Sequence, residues 1–474
     1  MLSERYLNIL SQVKAKEILL SAIDLVNFGI ILDGIYFYKN ERNEPDFMSI
    51  EKLKLSFCKL VVDHYPIVVG RPTLNKEGQA SIKVDPGNLN VPDILELNVS
   101  YPAETFFETR PSDIEDNPDV VFFNTRKFYQ VSKIKQLPKA TYRRDNSAAV
   151  IRVIRFKDSS YVAFTFCLPH AIFDGISAIA FINHWAEYAR NITDVDAGTY
   201  QLTNPPLMDR QIVKNAMEGI DMLEVPFVEY FKKNALPIPI ELPENPAGVL
   251  ISTPDIPANE EQHMIHFSSK TLNRMRNDID PSHTTNTILA AFIAKNMLLA
   301  NIEIFGAAPQ ISFIAIAYDC RLRSDISQQF SGNASPAAIA PIPSQSILDG
   351  TYQDLANSFK EYGSKIESGH TKSIIDVLEN NMELMYQVGI SLCNSPTSSF
   401  AGMTNVRYMP FYTIDFGYGK PSVLGFDYFM REGMIRVLPN SQDGGVDLVI
   451  NFRDEFFEKL CGLEDIKKYA DIIY

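Results

Sequence analysis

The amino-acid sequence predicts a mixed α/β (α+β) protein of two domains, on three observations. Strand-like segments and segments of helical spacing occur in both halves of the 474 residues, as expected for helices layered on sheets. A proline-rich stretch separates the halves: residues 236–258 hold six prolines in 23 positions, which points to an extended, irregular linker. A typical domain takes about 150 residues, so this length suggests roughly three domains or two large ones. The expected division is an N-terminal domain over 1–200, a linker region over 201–262 and a C-terminal domain over 263–474.

Residues 148–156 and 161–168 are rich in β-branched and aromatic side chains and flank the turn 157–160, so they read as two strands. The second is nearly all apolar, as a central strand is. Residues 176–190 then place Ile176, Ile179, Ala180, Ile182 and Trp185 or Ala186 on one helical face. The segment 169–175, PHAIFDG, thus joins a buried strand to a helix, a setting in which a rigid frame holds functional groups. Beyond the linker, helices are expected over 268–279 and 285–300, with Ser268 or Ser269 and Thr284 or Thr285 as N-caps. A strand at 311–318, an irregular Ala/Pro/Ser segment at 336–346 and a helix at 351–366 come next. Strands are expected at 408–415, 423–430, 434–438 and 446–452, before a final helix over 453–462.

Composition narrows the function. The chain carries 44 Lys+Arg against 58 Asp+Glu, a net charge of −14, which disfavours non-specific nucleic-acid binding. Any polyanionic ligand therefore needs a local basic patch. Cys58, Cys167, Cys320, Cys393 and Cys461 are odd in number and widely spaced, with no CxxC pair, so neither a disulfide framework nor a metal site is expected. The start of the chain lacks the apolar core of a secretory signal. Residues 19–38 are interrupted by Asp24, Asn27 and Asp33, and residues 288–300 by Lys295, so no membrane span is expected. A soluble, cytoplasmic monomer is the expectation.

His170, Asp174 and Gly175 form an HxxxDG motif. A neutral imidazole at the end of a buried strand can act as a general base near neutral pH. There is no GxSxG nucleophile elbow, and Cys167 lies inside the strand rather than at its tip. Direct transfer from a thioester to an acceptor activated by His170 fits better than a covalent enzyme intermediate. The bland alternative is a capped turn: Asp174 caps the helix, Gly175 relaxes the backbone and His170 is a buried ring.

A second motif, DFGYGKP over 415–421, lies about 240 residues downstream. With HxxxDG it resembles the BAHD superfamily of acyl-CoA-dependent acyltransferases, whose signatures are HxxxD and DFGWG. Further matches follow in order: Leu20–Asp24 with LSxxD, His64–Arg71 with YYPLAGR, Asp319–Arg323 with DxRxR, Gly332-Asn333 with GN, and Gly444-Gly445 with the late GG strand. The resemblance implies two similar chloramphenicol-acetyltransferase-like domains joined by a long Pro-rich crossover. It implies His170 as general base, Gly175 as a tight backbone turn, and Asp174 as a structural residue paired with an arginine, for which Arg323 is the choice. Asp415, Gly417 and Gly419 would form a structural motif away from the reacting atoms, with Tyr418 standing where the family has Trp. Thr404, in the segment Met403–Val406, would supply a hydroxyl donor for the oxyanion. Val406 stands where plant members carry a Trp donor, so either another group such as Asn405 or a backbone N–H replaces it or the acceptor chemistry differs.

The implied reaction moves an acyl group, with acetyl as the first guess, from acyl-CoA to a hydroxyl rather than an amine of a small molecule. Acyl-CoA is a co-substrate, with no permanently bound cofactor and no metal. Its phosphates would meet Lys270, Arg274, Arg276 and Lys295, with Thr284 and Thr285 at a helix N-terminus. Two alternatives remain. A carrier-protein-dependent condensation-type domain usually has a second His where Pro169 stands here, and a catalytically inactive binding homologue would account for Val406.

Overall fold

The strand Tyr161–Pro169 lies in the middle of a five-stranded sheet and is buried along all but its first residue. Ile31–Lys39 pairs with it antiparallel on one side, from Ile31 opposite Pro169 to Lys39 opposite Tyr161. Val150–Phe156 pairs antiparallel on the other side, and Asp93–Val99 runs parallel beyond that. The computed structural model describes residues 2–27, 30–77, 79–110, 120–134, 149–192, 198–233, 261–380, 399–426, 433–439 and 443–473. The proline-rich stretch 236–258 lies outside these residues.

The helix Gly175–Asn191 follows the His-bearing loop and buries Ile179, Ile182, Trp185 and Ala186, the face set by its apolar spacing. It packs beside helix Ile50–Asp63, where Phe57 meets the rings of Phe181 and Trp185 edge-on. The only tryptophan is fully buried, and its indole N–H donates to Leu53 O at 3.2 Å and Ser56 Oγ at 3.0 Å.

The second sheet has seven strands in the order Ala337–Pro343, Ile311–Ala317, Ser399–Asn405, Met434–Pro439, Val446–Phe452, Glu261–Phe267 and Ile472–Ile473. Ser268 caps helix Ser269–Ile279, and Thr284 caps helix Thr285–Phe305. The latter runs past residue 300 and stops at Gly306, whose φ of +74° suits glycine. Among the described residues it is the one helix long and apolar enough to cross a membrane, and 67% of its apolar window is buried inside the protein.

Two expectations fail here. Residues 337–343 are a strand rather than an irregular segment. Among the described residues it pairs only with Ile311–Ala317, at the sheet edge, where Pro341 and Pro343 need not donate to a second neighbour. Residues 408–415 are not a strand; they hold a short 3-10 turn at Phe411–Thr413, and the strand precedes them at Ser399–Asn405. Their apolar side chains serve another purpose: Phe411 and Ile414, with Phe416 just beyond, enter the core of the N-terminal half. Val423–Gly425 then adds an edge strand to the five-stranded sheet, opposite Ile35–Phe37. Of the strand expected at 423–430, residues 427–432 lie outside the described set. The C-terminal half therefore completes the N-terminal sheet and core.

One buried cation pins the seven-stranded sheet. The ring of His266 meets Asp447 Oδ1 at 2.6 Å through Nδ1 and Asp443 Oδ2 at 2.9 Å through Nε2. Burial disfavours the charged ring, but the two carboxylates outweigh it and push His266 up to about 9. Because that value exceeds the ordinary 6.5, the stabilisation is full below 6.5 and is lost as pH rises through about 9. The melting temperature should therefore fall over that alkaline range, and His266→Gln should be less stable at neutral pH and flatten the fall. Thermal melts across the pH series check both.

Candidate active site

Asp174 is the N-cap of helix Gly175–Asn191 in a capping box with Ser177. Its Oδ1 accepts from Ser177 N at 2.9 Å and Ser177 Oγ at 2.6 Å. Gly175 is the first helical residue and has no left-handed φ, contrary to the tight turn expected of it. What it provides is space, because a Cβ there would sit 2.8 Å from Met409 Cε.

The arginine that pairs with Asp174 is Arg321, not Arg323. Arg321 Nη1 donates to Asp174 Oδ2 at 2.7 Å, with both side chains fully buried. Its remaining N–H groups reach Phe330 O and Gly332 O, so the guanidinium is anchored on its far side as well. Ala334 N at 2.9 Å and Ser335 Oγ at 3.2 Å also donate to Asp174 Oδ2. Arg323 lies two residues on in a turn, bonds Ile366 O and covers the ring of Tyr318. Burial works to raise the Asp174 carboxyl, but Arg321 and Ser177 overcome it and hold it below the usual carboxylate range.

His170 follows directly on the strand, and its backbone N–H donates to Ile30 O at 2.9 Å. The residue as a whole is partly exposed. Nδ1 lies 3.0 Å from Asn333 Oδ1, and Nε2 bonds no described residue. Asn333 Nδ2 donates to His170 O at 2.8 Å and to Asp24 Oδ1 at 2.7 Å. Asp24 is held in turn by a capping box with Ser21 and by Arg210 Nε at 3.3 Å. Burial pulls the His170 pKa below its ordinary value, against the opposing pull of its own carbonyl, Asp174, Asn333 and Asp24. The lowered pKa favours the neutral ring. The segments that hold Asp24 and Asn333 carry no chemical signal of their own; only the order of motifs along the chain hints at them.

Thr404 lies on the strand Ser399–Asn405 and is half-buried, opposite Arg436 in register. Arg436 forms a buried ion pair with Asp33 at 3.2 Å, and Asp33 is opposite Cys167, three residues before His170. This link brings the strand of Thr404 to the same end of the His-bearing strand. Asn405 and the backbone N–H of Val406 each have a partner. Asn405 Nδ2 donates to Asn286 Oδ1 at 2.6 Å, and Val406 N donates to Val437 O at 3.0 Å.

The DFGYG loop lies elsewhere. Asp415 Oδ1 accepts from the backbone N–H groups of Gly417, Tyr418 and Gly419 at 2.7 to 3.0 Å, while Gly417 and Gly419 have φ of +95° and +93°. Phe416 packs against Tyr38, Phe164 and Trp185. The motif anchors the C-terminal segment in the N-terminal core.

Three of the four cations expected to bind phosphate already bond backbone carbonyls. Arg274 bonds Lys468 O and covers Tyr469, Arg276 bonds Pro281 O and His283 O, and Lys295 reaches Leu348 O and Gly350 O. Lys270 is exposed in the first turn of helix Ser269–Ile279. Thr284 accepts from Thr287 N, and Thr285 is the first residue of the next helix. Among the described residues no group of three or more His, Cys, Asp or Glu is placed to hold a metal.

The larger sheets have seven and five strands, with His170 at the end of the central strand of the five-stranded one and the buried Asp174–Arg321 pair in the loop that follows. A model described as the Transferase family matches residues 10–85 and 123–461, and the chain belongs to that family, the BAHD acyl-CoA acyltransferases. It is similar to hydroxycinnamoyltransferase 2 of Oryza sativa subsp. japonica, 24% identical with 93% of each chain covered. Shikimate O-hydroxycinnamoyltransferase of Nicotiana tabacum is likewise 24% identical over 93% of each chain. Its fold is similar to F. graminearum TRI101 complexed with ethyl coenzyme A, with a TM-score of 0.66, 17% identity and coverage of 96% and 99%. Vinorine synthase matches with the same TM-score and identity, covering 97% of this chain and 98% of its own.

Removing Arg321 leaves the buried Asp174 carboxylate short of its cation. Arg321→Ala should lose about 3–5 kcal/mol of stability. Arg323→Ala, which removes a hydrogen bond to a carbonyl, should lose only about 1 kcal/mol. Chemical denaturation of the two variants side by side distinguishes them, and equal losses would contradict the assigned pairing.

Proposed function

We propose that this chain transfers an acyl group from acyl-CoA to a hydroxyl of a small-molecule acceptor, with His170 as general base and no covalent enzyme intermediate. The observation that carries the reading is the His170 ring held through Nδ1 by Asn333 of the C-terminal half, its pKa lowered by burial and its Nε2 bonding no described residue. His170 takes the hydroxyl proton as the acceptor oxygen attacks the thioester carbonyl carbon. The tetrahedral intermediate then collapses, the carbon–sulfur bond breaks, and the imidazolium returns the proton to the CoA sulfur. Thr404 donates to the oxyanion. Asp174 holds the loop, Arg321 fixes Asp174, and neither touches substrate.

Relatives named for O-acylation of shikimate and omega-hydroxypalmitate support a hydroxyl acceptor, although another is named an N-hydroxycinnamoyltransferase. Several relatives are named for hydroxycinnamoyl, caffeoyl or feruloyl groups. Aromatic acyl-CoA donors therefore stand beside acetyl-CoA in the donor test. For the CoA phosphates, the reading places Lys270 and Arg276 with the helix N-terminus at Thr284 and Thr285.

Purified protein is to be screened for CoA release with acyl donors crossed against alcohol and amine acceptors. His170→Ala should lower kcat by about 10²–10⁴-fold with an unchanged melting curve. Wild-type turnover by that variant would sink the base assignment. Because burial lowers the His170 pKa, the neutral base persists into mild acid, and kcat should begin to fall only below the ordinary imidazole value of 6.5. Lys270→Glu should raise KM for acyl-CoA several-fold while leaving kcat nearly unchanged, which steady-state kinetics at two salt concentrations would measure.

A further inference from the structure

Asn333 is buried beside His170, and its two amide hydrogens have defined destinations. One goes to the carboxylate of Asp24 at 2.7 Å and the other to the carbonyl of His170 at 2.8 Å. Neither partner can donate a hydrogen bond back. Rotating the amide by half a turn would set its oxygen against two acceptors and leave both without a donor, a costly change in a buried site. Asp24 cannot easily yield either. Ser21 donates to its other oxygen from both N and Oγ at 2.8 Å, and Arg210 lies 3.3 Å from that oxygen. Arg210 is itself fixed by Ser331 O at 2.6 Å and Ile172 O at 2.7 Å.

The amide oxygen of Asn333 must therefore be the atom that faces His170 Nδ1 at 3.0 Å, and an oxygen acceptor requires an N–H opposite it. We infer that Asn333, oriented by Asp24, is a positioning residue that fixes His170 in its Nδ1–H tautomer and so leaves the Nε2 lone pair as the base. The inference rests on the proposed role of His170, but the tautomer is a property of the resting protein. During transfer the acceptor hydroxyl gives its proton to Nε2, and Nδ1 keeps its hydrogen bond to Asn333 in both the neutral and the charged ring. The Asn333 carbonyl dipole, with the Asp24 charge behind it, favours the imidazolium that forms. Among the described residues, the charged groups that act on the ring are Asp24 and Asp174, each matched by its own arginine, Arg210 and Arg321.

The test is nitrogen-15 NMR of the full chain with labelled histidine, with the His170 signal identified by its loss in His170→Gln. Above the imidazole pKa, the wild-type His170 signal should show a protonated Nδ1 and an unprotonated Nε2. Asn333→Leu should shift the ring toward the Nε2–H form and lower kcat by about 10–100-fold with KM for acyl-CoA nearly unchanged. Asn333→Asp, which keeps an acceptor oxygen, should retain the wild-type tautomer. A wild-type His170 mainly in the Nε2–H form overturns the inference whether or not any variant folds, as does an Asn333→Leu protein with the wild-type tautomer. Full turnover by His170→Ala alongside the expected tautomer would instead refute the general-base reading and leave the role of Asn333 in place.

Discussion

Asp174 has no contact with solvent, and a carboxylate in that position is tolerable only because it is fully surrounded by donors. Ser177 supplies two, through its N–H and its hydroxyl, and Arg321, Ala334 and Ser335 supply the others. The donors come from two places far apart in the sequence: the helix that begins at Asp174 and the stretch 321–335. Bringing them to one carboxylate fixes the loop that carries His170 against the C-terminal half. The same stretch also delivers Asn333 to the His170 ring and Gly332 O to Ser177 and Arg321. The geometry of the site thus follows from satisfying one buried charge.

The elements nearest the chemistry were the most legible in the sequence. Strand 161–169 and helix 175–191 combine long apolar runs with a polar cap, so periodicity and capping point to the same structure. Two expectations failed where tertiary context decides. A strand is expected at 408–415, but Phe411 and Ile414 are received by the core of the other half. The prolines near 340 resemble a break, but an edge strand accepts them. Arg321 and Arg323 are inseparable by spacing because 321–325 is a turn, with neither strand nor helix periodicity to say which side chain points inward.

The phosphate problem was legible only in outline. An acidic chain has to assemble local cations, and helices 269–279 and 285–305 do carry them. Their positions were readable, but not that backbone carbonyls already hold Arg276 and Lys295. Carbonyls released at the ends of helices and turns compete for cations as a ligand does. Sequence spacing does not reveal this competition. The Asp24–Asn333–His170 chain is hidden for a related reason: its members lie in three separate segments, and an asparagine has no charge or periodicity to mark it.

The insertion of residues 406–426 into the N-terminal half also bears on how the protein is made. Ile414 accepts a hydrogen bond from Tyr38, Phe416 packs on the only tryptophan, and Val423–Gly425 closes a sheet whose other strands end at Pro169. During translation the N-terminal sheet leaves the ribosome with one edge uncovered and part of its core unfilled. It stays so until a segment more than two hundred residues later has been synthesised. Over that interval the emerging chain presents apolar surface and an open strand edge to its surroundings, the features that recruit chaperones or lead to misassembly. The long sequence separation that joins the halves in the finished enzyme thus also sets when the nascent chain can first become stable.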